Sequence, residues 1–295
     1  MRIKFGFPIP PVMEIINRRQ RMSSIARKLR REEKTVGFVP TMGALHEGHL
    51  SLITEARQSC DIVIVSIFVN PTQFGKGEDF ERYPRDLTAD AALLAEYNVD
   101  YIFAPAPEEI YGDGFSTYVT VEGLSETMEG EFRPGHFRGV ATIVTILFNT
   151  IRPDFAFVGQ KDAQQAIIIK RLTKDLGFET EVRILPTIRE ESGLALSSRN
   201  TYLGEEEKKA ASVLFQALRA AKLAFREGER NTAKLADMVR EKIAAQPLGK
   251  LEYIAIVNAE NLQPIAKIED ETVLMALAAR FGAVRLIDNT ILNRK

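Results

Sequence analysis

Two of the three histidines in the chain lie three residues apart, in the segment 41–49, TMGALHEGH. The segment follows the apolar run 36–39, VGFV, so that a strand, a turn of small residues and the start of a helix succeed one another. Gly43 and Gly48 let the backbone approach a ligand, and imidazoles donate hydrogen bonds to phosphate without the fixed charge of lysine. Strand ends of this kind hold phosphates in α/β proteins, which predicts a nucleotide-activating site.

A shared metal is the competing interpretation of this pair. Histidines at positions i and i+3, here His46 and His49, can bind the same zinc ion. The next histidine is His136 and the only cysteine is Cys60, which we expect at the end of a helix as a small core residue. We therefore expect phosphate chemistry here rather than zinc ligation.

A second polar segment, 70–75, NPTQFG, follows the next apolar run. Ligands of parallel sheets bind beyond the carboxyl ends of the strands. The amide of Gln73 both donates and accepts, which suits the hydroxyl and carboxylate of a small acid. A turn shaped by Pro71 and Gly75 explains the same segment equally well.

The third segment, 159–165, GQKDAQQ, again joins a strand end to a helix start. Lys161 is suited to a phosphate, and Asp162 either caps the helix or accepts a ribose hydroxyl. A plain capped helix explains Asp162 but leaves Lys161 and Gln165 unexplained, so we favour a functional role.

The fourth segment, 193–200, GLALSSRN, is rich in small residues and hydroxyls. It could fold over a triphosphate, with Arg199 supplying positive charge, although by itself it is more typical of a linker. No structural partner of Arg199 is evident from the sequence before a triphosphate binds. We expect the segment to be mobile until then.

Two weaker signals have an ordinary structural explanation as well as a functional one. The basic segment 132–139, FRPGHFRG, could face an acidic substrate or be a simple loop. Asp86 and Asp90 lie one helical turn apart and could help to hold magnesium, but an exposed acidic helix face explains them better.

The apolar pattern predicts a doubly wound parallel sheet before residue 186 and an α+β domain after it. In the first part, strands are predicted at 35–39, 61–69, 101–104, 155–158 and 181–185, and helices at 25–34, from 50 onward, 86–97, 143–151 and 162–176. In the second part, helices are predicted at 205–226 and 232–245 and strands at 251–257, 272–278 and 284–288. We thus expect one domain at 1–186, with residues 1–12 as an irregular leader, and a smaller α+β lid domain at 187–295.

Composition narrows the functional classes. The chain has 295 residues and a net charge of −1, so it has no global field to attract a polyanion, and we expect no nucleic-acid partner. No apolar run approaches the ~18 residues of a membrane span, so we expect no membrane partner. A single cysteine is compatible with a reducing cytoplasm, where we place the protein.

Taken together, the motifs resemble the pantothenate synthetase (pantoate–β-alanine ligase) family, from about Met13 to the C-terminus. They are FVPTMGALHEGH at 38–49, FVNPTQFG at 68–75, YPR at 83–85, RPGHFRG at 133–139, GQKD at 159–162 and SSRN at 197–200. The resemblance implies a Rossmann-like fold of the nucleotidyltransferase group and a homodimer. It also implies a two-step reaction, in which ATP and pantoate form pantoyl adenylate and pyrophosphate and β-alanine then displaces AMP.

The resemblance also assigns residue roles. The ATP site would comprise Met42, Gly43, Ala44, Leu45, His46, Glu47, Gly48, His49, Gly159, Gln160, Lys161, Asp162, Ile188, Leu196, Ser197, Ser198 and Arg199. His49, His46 and Lys161 would be catalytic, Gln73 and Gln165 would bind pantoate, and Gln73 would also stand near β-alanine. Asp90 would help to position Mg²⁺. Leu196 replaces a methionine common in the family, a swap of similar volume that leaves ATP binding expected.

Two other functions remain open on the sequence. A related nucleotidyltransferase that moves AMP onto a phosphorylated acceptor would keep the histidine site without an amine pocket. A nucleotide-binding sensor without turnover would use the same loops, but it would have no need of His49, Lys161, Gln73 and Gln165 together.

Overall fold

The structure, a computed structural model, describes residues 13–293, so the leader predicted at 1–12 lies outside the described residues. Its larger sheet has six parallel strands in the order β1-β4-β3-β2-β5-β6. They are β1 (Glu14–Ile16), β2 (Val36–Thr41), β3 (Ile62–Ile67), β4 (Tyr101–Phe103), β5 (Phe155–Gly159) and β6 (Glu181–Leu185). The associated helices are α1 (Arg19–Arg31), α2 (Glu47–Ser59), α3 (Leu87–Glu96), α4 (Pro107–Ile110), α5 (Glu129–Phe132), α6 (His136–Ile151) and α7 (Ala163–Asp175).

Helices cover both faces of this sheet, which confirms the doubly wound architecture. On β2, Phe38 packs into one apolar cluster with α1, α6 and α7, whereas its neighbour Val39 packs into another with α2 and α3. Alternate side chains of a strand point to opposite faces, so a run that is apolar throughout is buried on both. Cys60 lies buried at the end of α2, as expected.

The central strand β2 pairs with both β3 and β5. The chain builds outward in one direction through β3 and β4 and in the other through β5 and β6. The carboxyl ends of β2 and β5 therefore border the topological switch point, where open α/β sheets bind their ligands.

The C-terminal part has its own antiparallel sheet and core. Its elements are α8 (Glu205–Ala211), α9 (Val213–Arg226), α10 (Thr232–Ala244), β7 (Gly249–Asn258), β8 (Val273–Phe281) and β9 (Val284–Leu292). The two sheets lie on either side of residue 186 in the sequence, and the domain division there remains a prediction. Among the residues described, no helix is both long and apolar enough to cross a membrane.

Several predicted boundaries were wrong. The helix predicted over 205–226 is two helices that meet at Ser212. The helix predicted at 143–151 begins at His136. Gly139 suggested a loop, but it lies inside the helix, where packing requires a glycine: a Cβ there would lie 2.4 Å from the carbonyl oxygen of Thr72. The last strand was predicted to end at 288 but continues to Leu292. The polar pair Asp288 and Asn289, which is buried in the strand, interrupts the apolar pattern from which its end was predicted. Strand β1 was missed altogether.

Candidate active site

The two histidines lie at the start of α2, directly beyond the end of β2. The backbone N–H of Gly48 donates to Nδ1 of His46 at 3.1 Å, and the backbone N–H of His46 points to Nδ1 of His49 at 3.4 Å. The ring centroids are 4.2 Å apart. Because each Nδ1 faces a backbone donor, these hydrogen bonds assign the proton of each neutral ring to Nε2.

Burial keeps both rings uncharged. It lowers the pKa of His49 to about 3, with the neighbouring His46 contributing in the same direction. The pKa of His46 is also lowered, by burial first and then by the charge of Lys161. At neutral pH the pair therefore presents two Nε2–H donors without charge.

Asp90 holds the turn that precedes the histidines. Its buried carboxylate accepts hydrogen bonds from the backbone N–H groups of Ala44 at 3.0 Å and Leu45 at 2.9 Å. Both carboxylate oxygens are thus engaged in shaping a turn in which Ala44 has a positive φ of 50°. The geometry thus gives Asp90 a positioning role, and the magnesium role stays a prediction. The acidic pair is likewise explained structurally, since Asp86 caps α3 through the N–H of Ala89.

Gln73 lies buried in a short turn after β3 and is fixed at both ends of its amide. Its Nε2 contacts Sδ of Met42 at 2.8 Å, and its Oε1 accepts from Asn70 at 3.1 Å. Asn70 in turn donates to the carbonyl of Gly139 at the start of α6. The close approach of α6 thus sets the position of Gln73.

The basic segment at 132–139 supports the same turn. Arg133 forms two hydrogen bonds of 2.7 Å with Glu78, and its Nη1 lies 3.1 Å from Nε2 of His136. His136 Nδ1 lies 2.8 Å from the carbonyl oxygen of Gln73. Burial and the charge of Arg133 lower the pKa of His136 to about 4. The charge of Arg133 is therefore balanced by Glu78, a partnership that the sequence did not indicate.

Lys161 and Asp162 lie beyond the carboxyl end of β5, across the switch point from the histidines. Lys161 Nζ is 3.5 Å from Oδ1 of Asp162. Burial would raise the pKa of Asp162, but Lys161 and Arg199 lower it below its ordinary value. Asp162 makes no side-chain cap to α7, so the plain capped helix does not account for it.

The segment after residue 193 is held by the loop that follows β3. Arg199 forms a bidentate ion pair with Asp79, at 3.0 and 2.9 Å, and the hydroxyl of Ser198 lies 3.2 Å from that of Tyr83. A short 3-10 helix spans Ser198–Tyr202. The expectation that Arg199 lacks a structural partner was therefore wrong, and the segment is not an unstructured linker.

One cleft of about 230 Å³ brings most of these residues together. The predicted site residues on its wall are Met42, His46, Gly48, His49, Gln73, Gly159, Lys161, Asp162, Gln165, Ile188, Leu196, Ser197, Ser198 and Arg199. The other predicted residues do not line it: Gly43, Ala44, Leu45, Glu47, Gln160 and Asp90. The cleft adjoins a wider opening of about 920 Å³, bounded on the far side by β9.

Cationic and amide groups thus surround a switch-point crevice that also holds uncharged imidazole donors. A crevice of this kind is where enzymes with an open α/β sheet bind nucleotides. A family model, "Pantoate-beta-alanine ligase", matches residues 14–291. The chain belongs to the pantoate–β-alanine ligase family.

Comparison with individual relatives supports membership of this family. The chain is 51% identical to the pantothenate synthetase of Pelotomaculum thermopropionicum, over 96% of this chain and all of the relative. It is 53% identical to that of Carboxydothermus hydrogenoformans, over 89% of this chain and 93% of the relative. Pantothenate synthetase from Thermus thermophilus has a similar structure, with a TM-score of 0.89, 46% identity, and coverage of 94% of this chain and 99% of that one. A Francisella tularensis pantoate-beta-alanine ligase, described as complexed with beta-gamma ATP and β-alanine, gives 0.78 at 37% identity, covering 95% and 98%.

Proposed function

We propose that the protein joins pantoate to β-alanine at the expense of ATP. In the first step a pantoate carboxylate oxygen attacks the α-phosphorus, a P–O bond forms, and pyrophosphate leaves. In the second, the amine of β-alanine attacks the acyl carbon, the amide forms, AMP leaves with the former carboxylate oxygen, and the amine gives up a proton. The observation that carries this proposal is the meeting of His46, His49 and Lys161 with Gln73 and Gln165 in one cleft.

The nucleotide would occupy the side of the cleft bordered by β2 and β5. Nε2–H of His49 and of His46 would donate to phosphate oxygens as negative charge moves onto pyrophosphate. Lys161 would add positive charge at the same place, and preorganised donors of this kind supply much of the rate in such steps. Among the remaining nucleotide contacts, Asp162 would hold the ribose and Ile188 the adenine end.

Pantoate would lie toward the amide side chains. The fixed amide of Gln73 is suited to its carboxylate and hydroxyl, and Gln165 lies on the same wall. β-Alanine would then enter next to Gln73. The Francisella tularensis relative described with β-alanine supports an amine acceptor rather than a phosphorylated one.

We further propose that Mg²⁺ enters as the chelate of ATP, that the protein is a homodimer and that it works in the cytoplasm. Within residues 13–293 there is no group of three or more metal-binding side chains. Magnesium commonly takes most of its ligands from phosphates and water, with one or two carboxylates. Asp90, the carboxylate that the resemblance assigns to magnesium, accepts backbone hydrogen bonds with both oxygens, so the phosphates of ATP would supply most of the ligands.

Product analysis tests the reaction directly. With ATP, Mg²⁺ and pantoate but no β-alanine, we expect one turnover of pyrophosphate and an enzyme-bound pantoyl adenylate detectable by mass spectrometry. Addition of β-alanine should release AMP and an amide. Formation of ADP and phosphate would contradict the proposal. Pyrophosphate release without an amide product would favour the related transferase, and absence of pantoate-dependent pyrophosphate release would favour a sensor.

A further inference from the structure

Strand β9 of the small sheet buries two consecutive polar side chains beside the cleft. Asp288 is 3% exposed and Asn289 is 4% exposed. Neighbouring side chains on a strand point to opposite faces, so the two reach different parts of the chain. Burying polar groups is unfavourable unless they are hydrogen-bonded, which draws attention to what these two bind.

Asn289 binds the backbone that carries Lys161. Its Nδ2 donates to the carbonyl oxygens of Gln160 and Lys161, at 2.9 Å each. Its Oδ1 accepts from the side chain of Gln160 at 3.2 Å. Two carbonyl acceptors fix the orientation of the amide, since the reverse orientation would place oxygen against oxygen.

Asp288 binds a different segment, the one that contains Arg189 and Gly193. Its carboxylate forms a bidentate ion pair with Arg189 at 2.7 and 2.9 Å, and Arg189 also donates to the carbonyl oxygen of Gly193. The N–H of Asn289 donates to Oδ1 of Asp288 at 2.7 Å, which links the two partnerships. Strand β9 therefore binds both the turn that carries Lys161 and the segment that contains Arg189.

From this geometry we infer that Asn289 is a positioning residue for Lys161. It holds the turn after β5 against β9, so that Lys161 meets the leaving pyrophosphate without first having to be ordered. The inference rests on the proposed function and concerns only the first step. Asn289 itself does not line the cleft that holds Lys161.

The experiment is a double-mutant cycle read on each half-reaction. Asn289→Asp keeps the shape but replaces both N–H donors with oxygen, and we expect adenylation to fall about 10²-fold, the scale of a misplaced reacting group. Because Lys161 acts on the leaving pyrophosphate, amide formation from added pantoyl adenylate and β-alanine should stay within about twofold. In a Lys161→Ala background, Asn289→Asp should then cost no more than about twofold further, since coupled residues are not additive.

The matched control is Tyr253→Phe. Tyr253, on β7, also joins the small sheet to the larger part, by donating to Glu129 at 3.1 Å, but it makes no hydrogen bond to the turn that carries Lys161. Its effect on adenylation should be small and independent of Lys161→Ala. Asn289→Ser provides a smaller, neutral variant should the aspartate fail to fold, with the same expected non-additivity.

Equal losses in both half-reactions, or full additivity of Asn289→Asp or Asn289→Ser with Lys161→Ala, would overturn the inference. Failure of the proposed function would look different, because the unaltered enzyme would then release no pantoate-dependent pyrophosphate.

Discussion

At the scale of single residues, the active part of each imidazole is set by the backbone around it. Nδ1 of His46 and Nδ1 of His49 each face a backbone N–H, which leaves Nε2–H as the only available donor. The two nitrogens can therefore be separated by substitution. Glutamine places an amide nitrogen near the position of Nε2, whereas asparagine reproduces only Nδ1.

We expect His49→Ala to lower the rate of adenylation by about 10²- to 10³-fold, the usual loss for one donor to developing charge. His49→Gln should retain more activity than His49→Asn, because it keeps the donor at the Nε2 position. Single-turnover measurement of pyrophosphate release checks the order. Equal activity of the glutamine and asparagine variants would contradict the assignment of Nε2–H as the donor.

The lowered pKa of His49 also makes folding stability depend on pH. The folded ring, with a pKa of about 3, stays neutral where the unfolded ring, near 6.5, takes up a proton. Above pH 6.5 the ring is neutral in both states and does not change the free energy of unfolding. As the pH falls below 6.5, proton uptake by the unfolded ring lowers that free energy. Between about pH 6 and pH 5, His49 should therefore reduce the free energy of unfolding by about 1.4 kcal/mol per pH unit.

Denaturant unfolding of the enzyme and of His49→Gln at pH 5, 6 and 7 measures this slope. The difference between the two proteins isolates His49 from His136, which titrates in the same direction in both. We expect the shallower pH dependence in the variant. Identical slopes would mean that His49 is not buried as a neutral ring.

The sequence was informative about residues that act within one segment and silent about their distant partners. The histidines could be recognised because a strand, small residues and two imidazoles stand together within residues 36–49. The sequence did not indicate the ion pair of Arg199, because its partner Asp79 lies 120 residues away. In the same way, nothing nearby in sequence shows that Asp90 accepts from Ala44 and Leu45.

At the scale of elements, the loop after β3 and the short helix Ser198–Tyr202 are joined by an ion pair between Asp79 and Arg199. The bidentate pair of Arg199 with Asp79 raises the pKa of Arg199 despite its burial. A triphosphate would therefore compete with Asp79 for Arg199, or share it. Closure over the adenylate would exclude water, and it would have to retain or exchange this ion pair.

We expect Asp79→Asn to increase hydrogen exchange at residues 196–202 in the absence of ATP, because the amide binds the guanidinium more weakly. Saturation with ATP should restore protection, since the phosphates would replace Asp79. Exchange is followed by mass spectrometry, with Asp86→Asn as the control, since Asp86 caps α3 and is not among the residues that line the cleft. Exchange at 196–202 that is unchanged by Asp79→Asn would show that the ion pair does not order the segment.

The elements themselves could be predicted where apolar spacing is regular, as in β6, whose bounds at 181–185 match those of the structure. The predictions failed where a residue has a packing role that its type conceals. Gly139 suggested a loop but lies inside α6, against the carbonyl of Thr72. Asn289 suggested the end of a strand but lies within β9.

At the scale of the whole molecule, the small sheet is joined to helices and loops of the larger part by an apolar cluster and an ion pair. Leu124 and Phe137 of the larger part pack with Val257 and Leu274 of the smaller one. Beside them, Arg285 makes two hydrogen bonds with buried Glu129, at 2.6 and 2.7 Å. Such contacts predict that both parts unfold in one cooperative transition.

Glu129→Ala should lower the free energy of unfolding more than the loss of any surface ion pair does. The substitution leaves the half-buried Arg285 with Glu252 alone and removes the acceptor of Tyr253, and breaking one side of a buried pair typically costs about 3 kcal/mol. Arg240→Ala, which removes an exposed pair with Asp237, is the control and should cost less than about 1 kcal/mol. Calorimetry should show the single transition of the enzyme lowered in temperature or divided in two in Glu129→Ala. If instead Glu129→Ala melts like Arg240→Ala, the apolar cluster alone holds the two sheets together.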